Sequence, residues 1–380
     1  MSSVFSGVMK KPLLVKFGDF CREGAGIEEK IRAYAAFAGE IYSSGLSLSD
    51  LVSRLVFEDE NVYVTAIARG IPIGKDIKTA AERELSVFSE FASLKPEDFK
   101  EEMKVEYLSP FSSEKTFLPT LYEERMKNIS SLGYGIFSSH SMFRVSDCKE
   151  IEPIISADKT SMDKFVGYEE ERRKVVENTL AFIEGRPAAN ALLCGDAGTG
   201  KSSTVKAIAN GFFDRGVRLI EIRKDQLSLL PYVMGKISQN PLKFIIFIDD
   251  LAFNKSDDNF SMLKAALEGS ASAKADNAVI YATSNRRHIV KEDFEDRDGG
   301  EVHRNDTLQE TLSLSERFGL VVLFQKPNKT LYLEIVRELA ERFGVDMPRE
   351  ELEIKAEAFA LRRGNRSARC AEQFIESLVR

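Results

Sequence analysis

The chain has 380 residues, 43% of them hydrophobic and 30% charged, with a formal net charge of −7. That length allows two or three domains, and the composition suits a buried core. A net negative chain is not built for broad, nonspecific adhesion to nucleic acid, and no apolar run reaches membrane-spanning length.

The first residues, Met-Ser-Ser-Val-Phe-Ser-Gly, lack the cationic start and apolar core of a secretion signal. Cys21, Cys148, Cys194 and Cys370 are far apart, and they read as reduced thiols of a cytoplasmic protein. His140, His288 and His303 form no metal-binding pattern.

Residues 1–130 read as a mostly helical domain. Ile27, Ile31, Tyr34, Ala35, Phe37, Ala38 and Ile41 recur at helical spacing. Residues 48–57 and 77–94 repeat that pattern, and 62–71 fits a helix or a strand. Phe88, Phe91, Phe99, Phe111, Phe117 and Tyr122 are expected to fill a core. This segment carries no recognisable chemistry and reads as a scaffold or partner-binding module. Residues 131–160 are transitional, with short strands expected at 133–137 and 142–145 and a linker from 151 to 161.

From Phe165 the pattern sharpens. Phe165-Val166-Gly167-Tyr168 leads into a helix over about 169–184. Apolar segments at 191–193, 217–222, 244–248, 278–283 and 320–324 follow, separated by helical or irregular stretches. That alternation predicts an α/β domain over 161–327, with a largely parallel sheet flanked by helices. Beyond Pro327 the periodicity is all helical, at 330–343, 350–363 and 367–379, with Gly344 and Gly364 as stops. Residues 328–380 are therefore expected to form a separate helical domain.

Gly195-Asp-Ala-Gly-Thr-Gly-Lys-Ser202 reads G-x-x-x-x-G-K-S between an apolar strand and a helix. In that context the glycines let backbone amides turn inward around a phosphate, with the positive helix end behind them. Asp196, Ala197, Gly198, Thr199, Gly200, Lys201, Ser202 and Ser203 are expected to contact nucleotide, joined by Val166 and Gly167. Lys201 would reach the β- and γ-phosphates, and the Ser202 hydroxyl would coordinate Mg²⁺.

Phe244-Ile-Ile-Phe-Ile-Asp249-Asp250 is an apolar strand ending in two carboxylates. Asp249 would hold Mg²⁺ and Asp250 would orient or deprotonate a water; alternatively the pair is an ordinary acidic turn. The strand 278–283 ends in small polar residues, of which Asn285, or else Thr283, would position that water. Arg317 sits just before the last strand, where it would reach a neighbouring subunit's γ-phosphate or simply pair with Glu316. Arg369, or else Arg366, opens the last helix and would fold over the nucleotide.

These pieces, in this order, resemble the AAA+ ATPases over roughly residues 160–380. Gly195–Ser202 matches Walker A, 244–250 Walker B, Asn285 sensor 1, Arg317 the arginine finger, and the Arg366/Arg369 helix sensor 2. The resemblance implies strand order 5-1-4-3-2, a helical lid over 328–380, ATP/ADP and Mg²⁺ as cofactors, and a homo-oligomeric ring or filament. Residues 195–203, 263–269, 280–288 and 312–319 look closer still to a bacterial group of single-AAA+ proteins, domain-of-unknown-function family 815. Two features depart from the AAA+ pattern. Asp250 stands where a glutamate is usual, which sets its carboxylate about 1.5 Å further back and favours slow hydrolysis. The charged stretch 291–306 is long for its place and is expected to be an exposed loop.

The expected function is Mg²⁺-dependent ATP hydrolysis coupled to a protein or DNA client, with a slowly hydrolysing nucleotide switch or adaptor as the alternative. A DNA-metabolism helper would use Arg286, Arg287 and His288 as a basic patch. Tyr232-Val-Met-Gly235 is similar to the pore loops of AAA+ unfoldases, but its neighbours Leu229, Leu230, Val233 and Ile237 read as the packed face of a helix.

Overall fold

The structure, a computed structural model, describes residues 2–156, 158, 160–251, 258–268, 275–285 and 317–379. The basic tripeptide at 286–288, the charged stretch 291–306 and residues 312–316 lie outside the described residues. The chain divides into two compact units, Met1–Ser139 with Gln239–Leu242 and His140–Ser238 with Lys243–Arg380.

The first unit is helical, with α1 (Pro12–Phe20), α2 (Ile27–Ser44), α3 (Leu48–Phe57), α4 (Val62–Ala68), α5 (Lys75–Ala92), α6 (Lys100–Met103), α7 (Leu118–Lys127) and α8 (Ile129–Leu132). The ambiguous stretch from Val62 is a helix because Asn61 Oδ1 accepts the amides of Tyr63 and Val64, each at 3.0 Å. That cap satisfies donors a strand would leave unpaired. Phe88, Phe91, Phe99 and Tyr122 lie in the core, and Phe111 packs at its margin. Phe117 does not join them: it stands at the entrance to α7 and is 62% exposed. The expected strand at 133–137 is also absent. Gly133 and Gly135 take φ of +65° and +63°, and the chain coils through a 3₁₀ turn at Gly135–Ser138. Left-handed backbone of that kind interrupts extension.

Among the described residues the second unit has seven strands: β1 (Met142–Val145), β2 (Ile151–Pro153), β3 (Ala191–Gly195), β4 (Val217–Glu221), β5 (Lys243–Ile248), β6 (Ala278–Ser284) and β7 (Leu320–Phe324). The sheet order is β2-β1-β4-β5-β6-β3-β7, parallel except for the β1–β2 pair. Numbered from β3, the last five strands run 5-1-4-3-2, the order the AAA+ resemblance implies. Strand β2 falls where a linker was expected. It is a three-residue edge strand, and its Pro153 is tolerated because an edge leaves one side of the ladder unpaired.

Around this sheet lie α9 (Glu169–Ile183), α10 (Lys201–Gly211), α11 (Leu230–Ile237) and α12 (Asp258–Glu268). All five residues of β3 are buried, as suits a central parallel strand covered on both faces. In α11, Leu230, Val233, Met234 and Ile237 face inward, as the packed-helix reading requires. Three helices close the chain: α13 (Lys329–Arg342), α14 (Arg349–Arg363) and α15 (Ala368–Val379). They share a second core of Tyr332, Ile335, Val336, Ala356, Phe374 and Ile375, which Val166 joins. No helix among the described residues is long and apolar enough to cross a membrane.

Candidate functional site

The site forms at the carboxyl ends of the parallel strands, where crevices open in sheets of this kind. Strand β3 ends at Gly195, whose φ of +132° is open to glycine alone. A Cβ there would stand 2.0 Å from the Phe324 carbonyl oxygen of β7. Asp196 anchors the loop that follows. Its amide donates to Phe324 O at 3.3 Å, and its Oδ2 accepts from Lys326 N at 3.0 Å. Thr199 Oγ1 closes the turn on Asp196 O at 2.9 Å. Gly198 and Gly200 take φ of +76° and +89°, and Gly200 delivers the chain into α10 at Lys201. Helix geometry leaves the first-turn amides of α10, including those of Ser202 and Ser203, without intrahelical acceptors.

Lys201 is buried, and its ammonium donates to Gly195 O (3.0 Å), Asp196 O (2.7 Å) and Asn285 Oδ1 (3.0 Å). All three of its protons are thus used. Burial pushes its pKa below the ordinary 10.5, against the pull of Asp196, Asp249 and Asp250. Ser202 Oγ donates to Asp249 Oδ1 at 2.6 Å, and the Thr283 hydroxyl donates to the same oxygen. Asp250 follows in left-handed backbone, φ +52°. Its amide reaches Thr283 Oγ1 at 3.0 Å, and its Oδ1 accepts from Asn285 Nδ2 at 2.7 Å. The structure therefore gathers Lys201, Ser202, Asp249, Asp250, Thr283 and Asn285 into one hydrogen-bonded cluster. The Ser202 hydroxyl and the Asp249 carboxylate are the hard oxygen donors that suit Mg²⁺, which keeps water and phosphate oxygens in its remaining positions.

Beside the loop lies a cavity of about 390 Å³ whose lining includes Val166, Arg172, Gly198, Gly200, Ser203 and Arg369. The turn into α15 closes on the loop: Arg369 N donates to Gly198 O at 3.2 Å. A Cβ on Gly198 would meet Ser367 Oγ at 3.0 Å, so the glycine keeps this contact close. Gly167 is a left-handed pivot, φ +71°, against Leu331 of α13.

The two arginine candidates of the last helix part company. Arg369 lines the cavity. Arg366 is held by Glu357 of α14, Nε to Oε1 at 2.9 Å and Nη2 to Oε2 at 2.8 Å. It faces a smaller cavity of about 190 Å³ with Asp196, Ala197 and Thr199. Arg317 is half-buried just ahead of β7 and lines neither cavity.

Among the lining residues that the sequence did not single out, Arg172 stands apart. Arg172 lies in Glu-Glu-Glu-Arg-Arg-Lys, which reads as a solvated helix start, yet it is only 6% exposed. Helical spacing with the buried Val175 and Thr179 was the available signal.

A family model described as "Protein of unknown function (DUF815)" matches residues 138–380, more than half of the chain. No curated protein matches the sequence. Among solved structures the chain is similar to the Holliday junction branch migration motor RuvB of Thermotoga maritima, at 14% identity and a TM-score of 0.35. That match covers 57% of this chain and 72% of RuvB. Two single-residue variants of the same RuvB match over the same shares at 15% identity and TM-scores of 0.36.

Proposed function

The chain belongs to the DUF815 family, and from that premise we propose that it binds ATP with Mg²⁺ and hydrolyses it to ADP and phosphate. The observation that carries this reading is the meeting of a glycine loop with two strand ends. Lys201 and Ser202 from the loop lie in hydrogen-bond contact with Asn285 and Asp249. Glycines at 195, 198 and 200 supply the positive φ of the loop, and a Cβ on the first two would meet Phe324 O and Ser367 Oγ.

In this reading Lys201 neutralises the β- and γ-phosphates, while Ser202 and Asp249 hold the metal, which would screen charge on the same phosphates. Asp250 accepts a proton from the attacking water or orients it, and Asn285 fixes Asp250. Asp196, Ala197, Gly198, Thr199, Gly200 and Ser203 line the phosphates, and Val166 and Gly167 also contact the nucleotide. Arg369 reads the nucleotide from the lid, and Arg366 braces that lid through Glu357. Arg317 acts on the γ-phosphate of a neighbouring copy in a homo-oligomer. Turnover drives remodelling or loading of a macromolecular client, protein or DNA. Four free thiols support a cytoplasmic setting.

The test is nucleotide binding and phosphate release by the purified protein, with Lys201→Ala and Asp249→Asn as controls. Both variants are expected to lose turnover; a wild type that neither binds nor hydrolyses ATP removes the proposal. A second reading, a switch with very slow hydrolysis, is favoured by the short Asp250 side chain and its bond to Asn285. If it holds, Asp250→Glu raises turnover; if Asp250→Asn leaves turnover untouched, Asp250 is not the catalytic carboxylate.

A further inference from the structure

Arg172 presents a physical problem that the fold does not solve internally. Its guanidinium is charged and buried, and buried charges are normally paired. Five N–H donors are available, yet its protein acceptor among the described residues is a carbonyl: Nη1 donates to Gly167 O. Nε is fully enclosed without a hydrogen-bond partner. The faces of the group rest on aromatic rings, 4.4 Å from the Phe165 centroid and 5.9 Å from that of Tyr168. Glu169 and Glu171 are near enough to favour the charge, but burial outweighs them and brings the pKa down to about 10. No carboxylate forms an ion pair with Arg172 among the described residues. The group is nonetheless held firmly, since α9 is latched to β6 by Thr179 and Asn178 on the Tyr281 hydroxyl, at 2.8 and 3.0 Å.

The position of the group identifies what is missing. Arg172 Nη2 lies 3.5 Å from where a Gly200 Cβ would stand, at the exit of the loop into α10. It shares the cavity with Gly198, Gly200 and Ser203, whereas Asp249, Asp250 and Asn285 do not line that cavity. A guanidinium edge beside helix-start amides is a place for a phosphate oxygen. Its place in a cavity that Asp249, Asp250 and Asn285 do not line favours the phosphates that ATP and ADP share.

We propose that Arg172 is an additional phosphate-binding residue of this site, contacting the diphosphate common to ATP and ADP. This rests on the nucleotide reading above.

The experiment measures ATP and ADP binding by calorimetry, and adenosine binding by ligand-observed NMR, for wild type, Arg172→Gln and Arg172→Lys. Losing a charge-assisted contact predicts that Arg172→Gln weakens ATP and ADP together by about ten- to a hundredfold. The ATP-to-ADP affinity ratio and adenosine binding stay as in wild type, and Arg172→Lys recovers part of the loss. ATP and ADP binding unchanged in Arg172→Gln overturns the proposal while leaving the nucleotide reading intact. Equal loss of adenosine binding, in Arg172→Lys as well, also overturns it and makes Arg172 a structural residue. A wild type that binds none of the three removes the nucleotide reading and this proposal with it.

Discussion

Truncating Asn285 to alanine removes an amide that is engaged at both ends. Its Oδ1 accepts from Lys201 at 3.0 Å and its Nδ2 donates to Asp250 at 2.7 Å. Only this orientation of the amide satisfies both neighbours, because an ammonium only donates and a carboxylate only accepts. Two bonds to charged groups would ordinarily be worth about 1.5–3 kcal/mol each. The structure discounts both. Lys201 keeps the carbonyls of Gly195 and Asp196, and Asp250 is exposed, so water replaces the amide. The expected loss of folding stability is therefore about 1 kcal/mol, or ~2–4 °C in melting temperature. Nucleotide affinity should change by less than about threefold, since phosphate would displace Asn285 from Lys201 in any case. Turnover should fall by about 10²-fold, the low end of what a positioned general base contributes, because Asp250 loses the amide that fixes it. Phosphate release at saturating ATP and Kd by calorimetry separate these effects. A kcat within about threefold of wild type combined with a Kd raised about tenfold would refute the reasoning and make Asn285 a binding residue. Asn285→Asp adds a contrast: it gives Lys201 a carboxylate partner and faces Asp250 with a like charge, so here affinity should fall.

Gly195→Ala places a Cβ 2.0 Å from the Phe324 carbonyl, a backbone atom of the adjacent strand that cannot move aside, at φ +132°. The expected result is insoluble protein or a melting temperature about 10 °C lower, since such clashes cost several kcal/mol; the control Gly211→Ala, in the last turn of α10 with open space around it, should be neutral or slightly stabilising. A soluble Gly195→Ala protein melting with wild type would refute the packing argument. In the first unit, burial pushes the Glu84 carboxyl up, but hydrogen bonds from Phe5 N, Ser2 Oγ, Ser3 N and Ser3 Oγ outweigh it and hold the pKa at about 2. A lowered folded pKa adds stability above the unfolded value of 4.5, lost as pH falls towards about 2. Melts of wild type and Glu84→Gln should therefore differ at pH 7 and converge across that window; a gap that persists at low pH would count against the carboxylate's role.

The glycine loop at 195–202 could be read from the sequence because its conformation is set locally. Eight consecutive residues from Gly195 carry the backbone freedom, the cation and the hydroxyl. Asp249 was legible too, since an apolar run ending in a carboxylate shows both where the strand stops and what it presents. What stayed hidden depends on burial set by distant residues. Arg172 sits among charges that look solvated, and only the packing of α9 against the sheet encloses it. Arg366 and Arg369 are three residues apart and chemically equal in sequence; Glu357 on another helix is what separates them. Strand β2 has three half-exposed residues and no pattern to detect. Phe117 is as apolar as Phe99, but it falls at a helix entrance rather than on an inward face.

Three of the cations near the loop differ in how far folding has already removed them from water. Lys201 is buried and holds two carbonyls and an amide. Arg172 is buried and holds one carbonyl. Arg369 is exposed, so water still solvates its charge. A charge desolvated during folding is preorganised, and its attraction for an anion is not spent on stripping water at the moment of binding. On the proposed nucleotide reading, Lys201 and Arg172 would therefore lower the stability of the nucleotide-free second unit and return that free energy to a bound phosphate. Arg369 has yet to lose its water, and how much it loses depends on how closely the turn at Ser367 sits on Gly198. Its contribution follows the position of the C-terminal helices, whereas that of Lys201, held by Gly195, Asp196 and Asn285, does not. On the proposed nucleotide reading, those helices would modulate affinity through Arg369 without disturbing Lys201.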